Sequence, residues 1–205
     1  MRTRWATVAD AQPIAKLWHR SWLLAHSAIV PAASLKQCTE ESFAKRTHGS
    51  LFEQETASSP PITRPTALIG EVDSSMVGFV IIRGGSEIEH FYVDGAHHGT
   101  GAASQLLSAA ETAMQEYGTP VAHLVVARRN LRAIKFYERH AYIATSRQAW
   151  MTAESGWQPV LTDESYRLTE DEIAATEMRC TAYKKFLGYE GNPNDGRHSY
   201  GKVRH

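Results

Sequence analysis

The sequence predicts an α/β protein of the α+β type, in which antiparallel strands lie between helices. Three runs whose apolar residues follow a period of two come one after another: TALIGEV, MVGFVIIRG and EIEHFYV. The segments DSS and GGS between them are turn signals, so the three runs are expected to form a meander. Helical periodicity precedes and follows them. A chain of 205 residues is long enough for one good-sized domain plus an additional element.

Before the meander, the sequence predicts one short strand and two helices. RWATV is the strand candidate, and the helix that follows covers ADAQPIAKLWHRSWLLAHSAI. Asp10 is placed to cap this helix, Pro13 falls in its first turn, and Pro31 ends it. Its apolar residues recur at helical spacing and are Ile14, Leu17, Trp18, Trp22 and Leu23. AASLKQCTEESFAKRT predicts a second, weaker helix, and the polar, proline-bearing HGSLFEQETASSPPITRP predicts a surface loop.

After the meander, helices and strands alternate. TGAASQLLSAAETAMQEYG predicts a helix that ends at Gly118, VAHLVVA a strand, and NLRAIKFYERHA a short helix capped by Asn130. YIATSRQAWM and PVLTDESYRL are expected to form a closing hairpin. We therefore assign residues 1–168 to one domain.

The segment beyond Leu168, residues 169–205, is predicted to be a C-terminal helix followed by a polar tail. Thr169 and Glu172 have the spacing of a capping box, and Gly188 follows the last helical turn. A short helix of this kind needs cover for its apolar side. Packing on the chain's own domain and a possible homodimer both remain open.

Charge and composition argue against several classes of function. Lys plus Arg equals Asp plus Glu at 22 each, so no net field attracts nucleic acid or an anionic membrane. No run approaches the ~20 apolar residues of a membrane span, and the N-terminus lacks the apolar core of a signal peptide. Cys38 and Cys180 lie far apart and match no metal spacing, which favours free thiols in a reducing compartment. We expect a cytoplasmic protein with no metal, nucleic-acid or membrane partner.

The segment HHGTG, at the start of a predicted helix, is the main candidate for a binding loop. A helix N-terminus leaves about four backbone N–H groups without partners, and with the helix dipole these groups favour an anion such as phosphate. Gly99 and Gly101 leave the backbone bare, and Ala102 and Ala103 keep the first turn small. A tight turn that needs glycine for a positive φ would explain the same residues.

Two other phosphate-binding motifs do not fit this segment. A Walker loop requires Gly-Lys-Ser/Thr, and no lysine follows the glycines. A dinucleotide site requires a small third residue and an acid at the end of the next strand, whereas Ser104 and Ala127-Arg128 stand at these positions. The preceding meander is also not a βαβ unit, which argues against a dinucleotide-dependent oxidoreductase.

Two motifs resemble the GNAT superfamily of acyl-CoA-dependent N-acyltransferases. FYVDGAHHGTGAASQLL resembles the family's acyl-CoA motif, Gln/Arg-x-x-Gly-x-Gly/Ala after a strand that ends in Val. NLRAIKFYERHAY resembles its Asn-x-x-Ala-x-x-Phe-Tyr segment, at the expected distance downstream. His98 replaces the usual Arg or Gln, and Ala141 the usual Gly. The order of elements over residues 1–168 also matches, which implies the GNAT fold: a mixed, mostly antiparallel sheet with two splayed strands, flanked by helices.

The resemblance implies that acetyl-CoA binds as a co-substrate between the splayed strands. The backbone of Phe91, Tyr92 and Val93 would bond the pantetheine. Asn130 would contact the cofactor as well as cap its helix, and capping alone would also explain this residue. The residues that would hold the pyrophosphate form one loop: His98, Gly99, Thr100, Gly101, Ala102 and Ala103.

The resemblance also implies acyl transfer to an amine and indicates catalytic side chains. Tyr137 matches the family's general-acid tyrosine, and a phenol of pKa about 10 suits protonation of a thiolate; core packing would also explain it. Glu87 matches the glutamate base of some members. Glu87 and Glu89 alternate on one strand, so they are expected to share a face, with His90 on the other. A solvated strand face would explain both acids.

These features predict an N-acetyltransferase that moves an acetyl group directly from acetyl-CoA to a primary amine, in a small molecule or a peptide. The alternative is a non-catalytic acyl-CoA-binding module of the same fold. In this family the first two helices and the closing hairpin build the acceptor pocket, and here they carry no signature that names the amine. Trp5, Trp18 and Trp22 are expected in the core rather than in a substrate cage.

Overall fold

The computed structural model describes residues 1–30, 32–52, 65–151, 160–161 and 178–188. Eight strands of this part of the chain form one sheet: β1 (Arg2–Trp5), β2 (Thr66–Val72), β3 (Ser75–Arg83), β4 (Glu87–Val93), β5 (Val121–Ala127), β6 (Ile143–Met151), β7 (Val160–Leu161) and β8 (Met178–Phe186). Their order across the sheet is β1-β2-β3-β4-β5-β8-β6-β7. The described neighbours are antiparallel except β4 and β5, which are parallel. The predicted meander is confirmed as β2-β3-β4.

Helices cover both faces of the sheet: α1 (Ala11–His26), α2 (Ala32–Leu35), α3 (Glu40–Leu51), α4 (Ala102–Glu116) and α5 (Leu131–Arg139). Phe79 and Val80 follow one another on β3, so their side chains point to opposite faces. Phe79 belongs to the core under α1 and α3 with Trp18, and Val80 to the core under α4 and α5 with Leu107. None of the described helices is long and apolar enough to cross a membrane.

The segment predicted as a C-terminal helix is a strand where the structure describes it. β8 lies between β5 and β6 and is antiparallel to both. Met178, Cys180 and Ala182 are buried, and Arg179 between them is exposed. This period of two fits a strand, and pairing on both edges satisfies the backbone, so tertiary pairing outweighs the local helix signals. The helical prediction is therefore wrong for β8, which belongs to the same sheet as the preceding strands.

The predicted closing hairpin is confirmed at the pairs that the structure describes. Ala149 lies opposite Leu161, and Trp150 lies opposite Val160. The rest of PVLTDESYRL, the capping box at Thr169 and the polar end of the tail lie outside the described residues. A domain boundary at residue 168 and a homodimer therefore stay predictions.

Candidate active site

The parallel strands β4 and β5 pair over two residues and then separate. Their ladder consists of Glu87 opposite His123 and Ile88 opposite Leu124. Beyond these pairs the strands leave an opening, which contains a cavity of about 100 Å³. Both strands line it, together with the first turn of α5 and side chains from α1 and α3. The splayed strands expected from the sequence are therefore present.

A bulge in β4 turns two neighbouring side chains into this cavity. The register of β4 against β3 shifts between Ile81 and Ile82, which leaves Glu89 as an extra residue. Glu89 and His90 both line the cavity, and the His90 ring packs against Trp18 with centroids 4.2 Å apart. The expectation that His90 faces away from Glu89 is wrong, because it assumed an unbroken period of two.

The backbone of β4 presents hydrogen-bonding groups to the opening at alternate residues. The N–H of Asp94 donates to the carbonyl of Val77, on the β3 side, at 2.8 Å. In an antiparallel ladder successive residues point their backbone groups to opposite sides. The backbone N–H and C=O groups of Tyr92 therefore also face β3, whereas the backbone groups of Phe91 and Val93 face away from β3, toward the opening. Of the three residues expected to bond pantetheine, Phe91 and Val93 have the suitable direction.

The loop before α4 has the backbone of an anion site. Gly99 and Gly101 adopt φ angles of 79° and 86°, and Gly101 is the N-cap of α4. A Cβ at Gly99 would meet nothing within 4 Å, so the space in front of this residue is open. In the described part of the chain, the N–H groups of Gly99, Gly101 and Ala103 have no acceptor. Those of Thr100 and Ala102 make only long bonds of 3.4 Å, so several donors remain for a ligand.

His98 supports this loop and holds an arginine beside it. Its Nε2 lies 3.2 Å from the Val93 carbonyl, and its Nδ1 lies 2.9 Å from Arg132 Nη1. A guanidinium only donates, so Nδ1 accepts and Nε2–H donates. Both ring nitrogens of His98 are thus engaged, and the side chain with donors to spare is Arg132. Arg132 was not predicted from the sequence. The helix dipole favours negative charge near a helix N-terminus, so an arginine in the first turn of α5 is unusual and could have indicated a bound anion.

Asn130 begins α5 as predicted. Its Oδ1 accepts the N–H of Ala133 at 3.2 Å. The residue also lines the cavity, and its side-chain NH₂ group makes no hydrogen bond to the residues described. Capping and a contact with a bound molecule are therefore compatible at this position.

Tyr137 lines the cavity from α5 and is also part of the core. It is 7% exposed and packs edge-on against Phe91 and Tyr142. Burial raises the pKa of Tyr137 well above its ordinary value. The phenol therefore carries its proton at neutral pH, which is the state that a general acid requires. Packing and proton donation are compatible roles for this side chain.

Glu89 is the carboxylate that the fold directs into the cavity. Its side chain is 1% exposed, and Oε1 accepts a hydrogen bond from Arg83 Nη2 at 2.6 Å. Oε2 is buried and has no hydrogen-bond partner among the residues described. Glu87 is partly buried, and burial together with Glu89 raises its pKa, but it is not part of the cavity wall. Of the two acids expected as bases, Glu89 therefore contacts the cavity.

The wall built by α1 and α3 combines aromatic rings with one arginine. Trp18, Trp22 and Phe43 line the cavity and are no more than 3% exposed. The Arg46 guanidinium lies over the Phe43 ring, 5.3 Å from its centre, and also lines the cavity. Trp18 and Trp22 are core residues, as predicted, that border the cavity as well. The core prediction is wrong for Trp5, which is 40% exposed.

Cysteine and metal-ligating side chains complete the description of this region. Within the described ranges, no group of three His, Cys, Asp or Glu side chains is arranged to hold a metal ion. The thiols of Cys38 and Cys180 are buried, and burial raises the pKa of Cys180 to about 12. The residues that line the cavity bring a carboxylate, a phenol, imidazoles and a guanidinium to it.

Comparison with known proteins agrees with this geometry. Similar folds occur in a GCN5-related N-acetyltransferase from Rhodopseudomonas palustris, at 18% identity and TM-score 0.60 over 91% of this chain and 95% of that chain. The yncA protein from Salmonella typhimurium, solved with its cofactor acetyl-CoA, has 15% identity and TM-score 0.58 over 95% and 98% of the two chains. The paia N-acetyltransferase from Thermoplasma acidophilum, solved with coenzyme A, has 15% identity and TM-score 0.57 over 88% and 96%.

Identities this low establish the fold alone, and the family follows from the sequence profile. No curated protein matches this chain significantly. The profile described as acetyltransferase (GNAT) family matches residues 33–142, more than half of the 205 residues. The chain therefore belongs to the acetyltransferase (GNAT) family and is an acyltransferase.

Proposed function

We propose that this protein transfers the acetyl group of acetyl-CoA directly to a primary amine. The observation that carries the proposal is the opening between β4 and β5, where Tyr137 and Glu89 line one cavity and the glycine loop follows β4 along the chain. Family membership supports acetyl transfer in general. Two proteins of similar fold, solved with acetyl-CoA and with coenzyme A, support the choice of acyl donor.

The loop and the strand edge fit the two polar parts of acetyl-CoA. The pyrophosphate would accept hydrogen bonds from the free N–H groups within residues 99–103, and Arg132 would neutralise part of its charge. The pantetheine amides would pair with the edge of β4 at Phe91 and Val93. Asn130 would add its side-chain amide. The open space in front of Gly99 supports this fit.

The transfer requires two proton movements, and one side chain serves each. Acetyl-CoA supplies the acetyl group as a thioester. As the C–N bond forms and the C–S bond breaks, the amine loses a proton and the sulfur gains one. Glu89, with one oxygen held by Arg83 and the other free, takes the proton from the amine, and Glu87 assists through water. Tyr137 gives its proton to the sulfur.

Thiol release from acetyl-CoA with a panel of amines tests this proposal. We expect amine-dependent release of CoA and a product heavier by one acetyl group. Tyr137→Phe and Glu89→Gln should each lower turnover by about two orders of magnitude, because each removes one proton-transfer group. CoA affinity should change little, since neither side chain meets the phosphates. Glu87→Gln should lower turnover less, because Glu87 lies outside the cavity wall and acts only through water.

Two results would count against the proposal. CoA binding without thiol release for any amine would favour the non-catalytic acyl-CoA-binding module. Wild-type turnover in both Tyr137→Phe and Glu89→Gln would leave acetyl transfer in place but remove the proton-transfer roles assigned to these two side chains.

A further inference from the structure

Arg46 is a partly buried cation in the cavity wall and forms no ion pair with a residue that the structure describes. Burial lowers its pKa, because water solvates the guanidinium incompletely. None of the ion pairs between described residues includes Arg46. Of the nearby groups that act on it, the Tyr92 phenol keeps its proton at neutral pH, because burial raises its pKa well above the ordinary value. A cation withdrawn from water is costly unless an anion pairs with it, so this position calls for an anion from outside the described residues.

The same cavity holds a carboxylate with one free oxygen. Glu89 Oε2 is buried and unpartnered, and so is Nε2 of His90, whose side chain is 10% exposed. Both charges act on the His90 ring: burial lowers the pKa of His90, Glu89 raises it, and Arg46 lowers it further. Among the described residues, the cavity therefore presents a carboxylate with one free oxygen and a guanidinium without an ion pair to the same small volume.

A molecule that satisfies both groups must carry an ammonium and an anion close together. The ring walls of Trp18 and Trp22 require an apolar part beside these charges. The cavity volume of about 100 Å³ is small, which favours a small acceptor. A small molecule that carries an ammonium, a neighbouring anion and an apolar group is a free amino acid with an apolar side chain.

We propose that the acceptor is a free apolar amino acid, with its ammonium on Glu89, its carboxylate on Arg46 and its side chain against Trp18 and Trp22. This inference rests on the proposed N-acetyltransferase function and narrows its substrate. A peptide N-terminus or a lysine side chain offers the amine without a nearby carboxylate, and a polyamine offers no anion at all. Each would leave Arg46 unpaired.

Matched acceptors separate these possibilities. The twenty amino acids are first compared by thiol release, and the best is then compared with its amide and its decarboxylated amine. For leucine the set is L-leucine, L-leucinamide and 3-methylbutylamine, in which the amide stands for a peptide N-terminus. We expect kcat/KM for the amino acid to exceed both others by roughly 10- to 100-fold, the range for losing a hydrogen bond between charged groups.

Variants of α3 identify the residue that makes this distinction. Arg46→Gln should lower kcat/KM for the amino acid by roughly 10- to 100-fold and change that for the decarboxylated amine by less than about twofold. Arg46→Lys should recover part of the loss, because the charge remains. Lys45→Gln is the control, since Lys45 is exposed on the same helix and pairs with Glu41. Unchanged CoA affinity confirms that each variant is folded.

A binding measurement gives a readout without turnover. Calorimetry of the amino acid added to the protein saturated with CoA should show binding in the wild type and none in Arg46→Gln. Equal kcat/KM for the three acceptors, or wild-type behaviour of Arg46→Gln, would overturn the amino-acid assignment and leave N-acetyl transfer standing. Absence of thiol release with every amine would instead refute the proposed function, and absence of amino-acid binding would then overturn this inference too.

Discussion

Gly99→Ala tests the phosphate loop sharply because Gly118 offers a matched control. The φ angles are +79° at Gly99 and +78° at Gly118, and a Cβ at either position would meet nothing within 4 Å. An alanine should therefore cost the same backbone strain at both positions, about 1–2 kcal/mol of unfolding free energy. For a chain of this size the corresponding fall in Tm is roughly 2–8 °C, and scanning calorimetry should find it nearly equal in the two variants.

The two variants should differ in CoA binding. At Gly99 the new methyl group occupies the open space where the phosphates would approach. Gly118 lies past the other end of α4, whose 15 residues span about 22 Å. Losing a hydrogen bond to a charged group costs about 1.5–3 kcal/mol, so Gly99→Ala should weaken CoA binding roughly 10- to 100-fold in titration calorimetry, and Gly118→Ala by less than about twofold. Equal CoA affinities in the two folded variants would refute the anion site.

Two further predictions concern charge. Arg132→Ala should weaken CoA binding by about tenfold at low salt and by less at high salt, because salt screens the exposed guanidinium. Arg139→Ala, at the far end of α5, is the control and should leave CoA affinity unchanged. A loss of affinity that does not depend on salt, or that is equal in the two variants, would contradict this role of Arg132. Burial lowers the pKa of His26 to about 4, against ~6.5 in an unfolded chain. The unfolded state therefore binds the extra proton as pH falls from 6.5 toward 4, and the free energy of unfolding decreases over that window. His26→Gln should remove roughly 2–3 kcal/mol of the decrease between pH 7 and pH 4.5 in urea titrations; an unaltered decrease would show that His26 is not its source.

Local patterns predicted the elements that frame the site. The glycines of the loop, the cap at Asn130 and the helix stop at Gly118 are features of a few adjacent residues, and the structure has each of them. Tyr137 was placed by its motif, which fixed its helix and its register. Such features depend on short-range sterics and hydrogen bonds, which the sequence encodes directly.

Other features depend on contacts between distant segments. The bulge at Glu89 exists only in the register of β4 against β3, so alternation along β4 alone misplaced His90. β8 has helix-compatible residues, and its strand state comes from the edges of β5 and β6, which are far away in sequence. Arg46 on α3 carries no local motif, and its importance appears once α3 packs against the opening.

A crystal structure of the protein with CoA would show whether the opening between β4 and β5 is the acyl-CoA site. We expect electron density for pantetheine between these strands, with hydrogen bonds to the backbone of Phe91 and Val93 and none to that of Tyr92. We expect the pyrophosphate on the N–H groups of residues 99–103, beside Arg132. CoA bound elsewhere on the molecule, with the opening between β4 and β5 free of ligand, would refute this site.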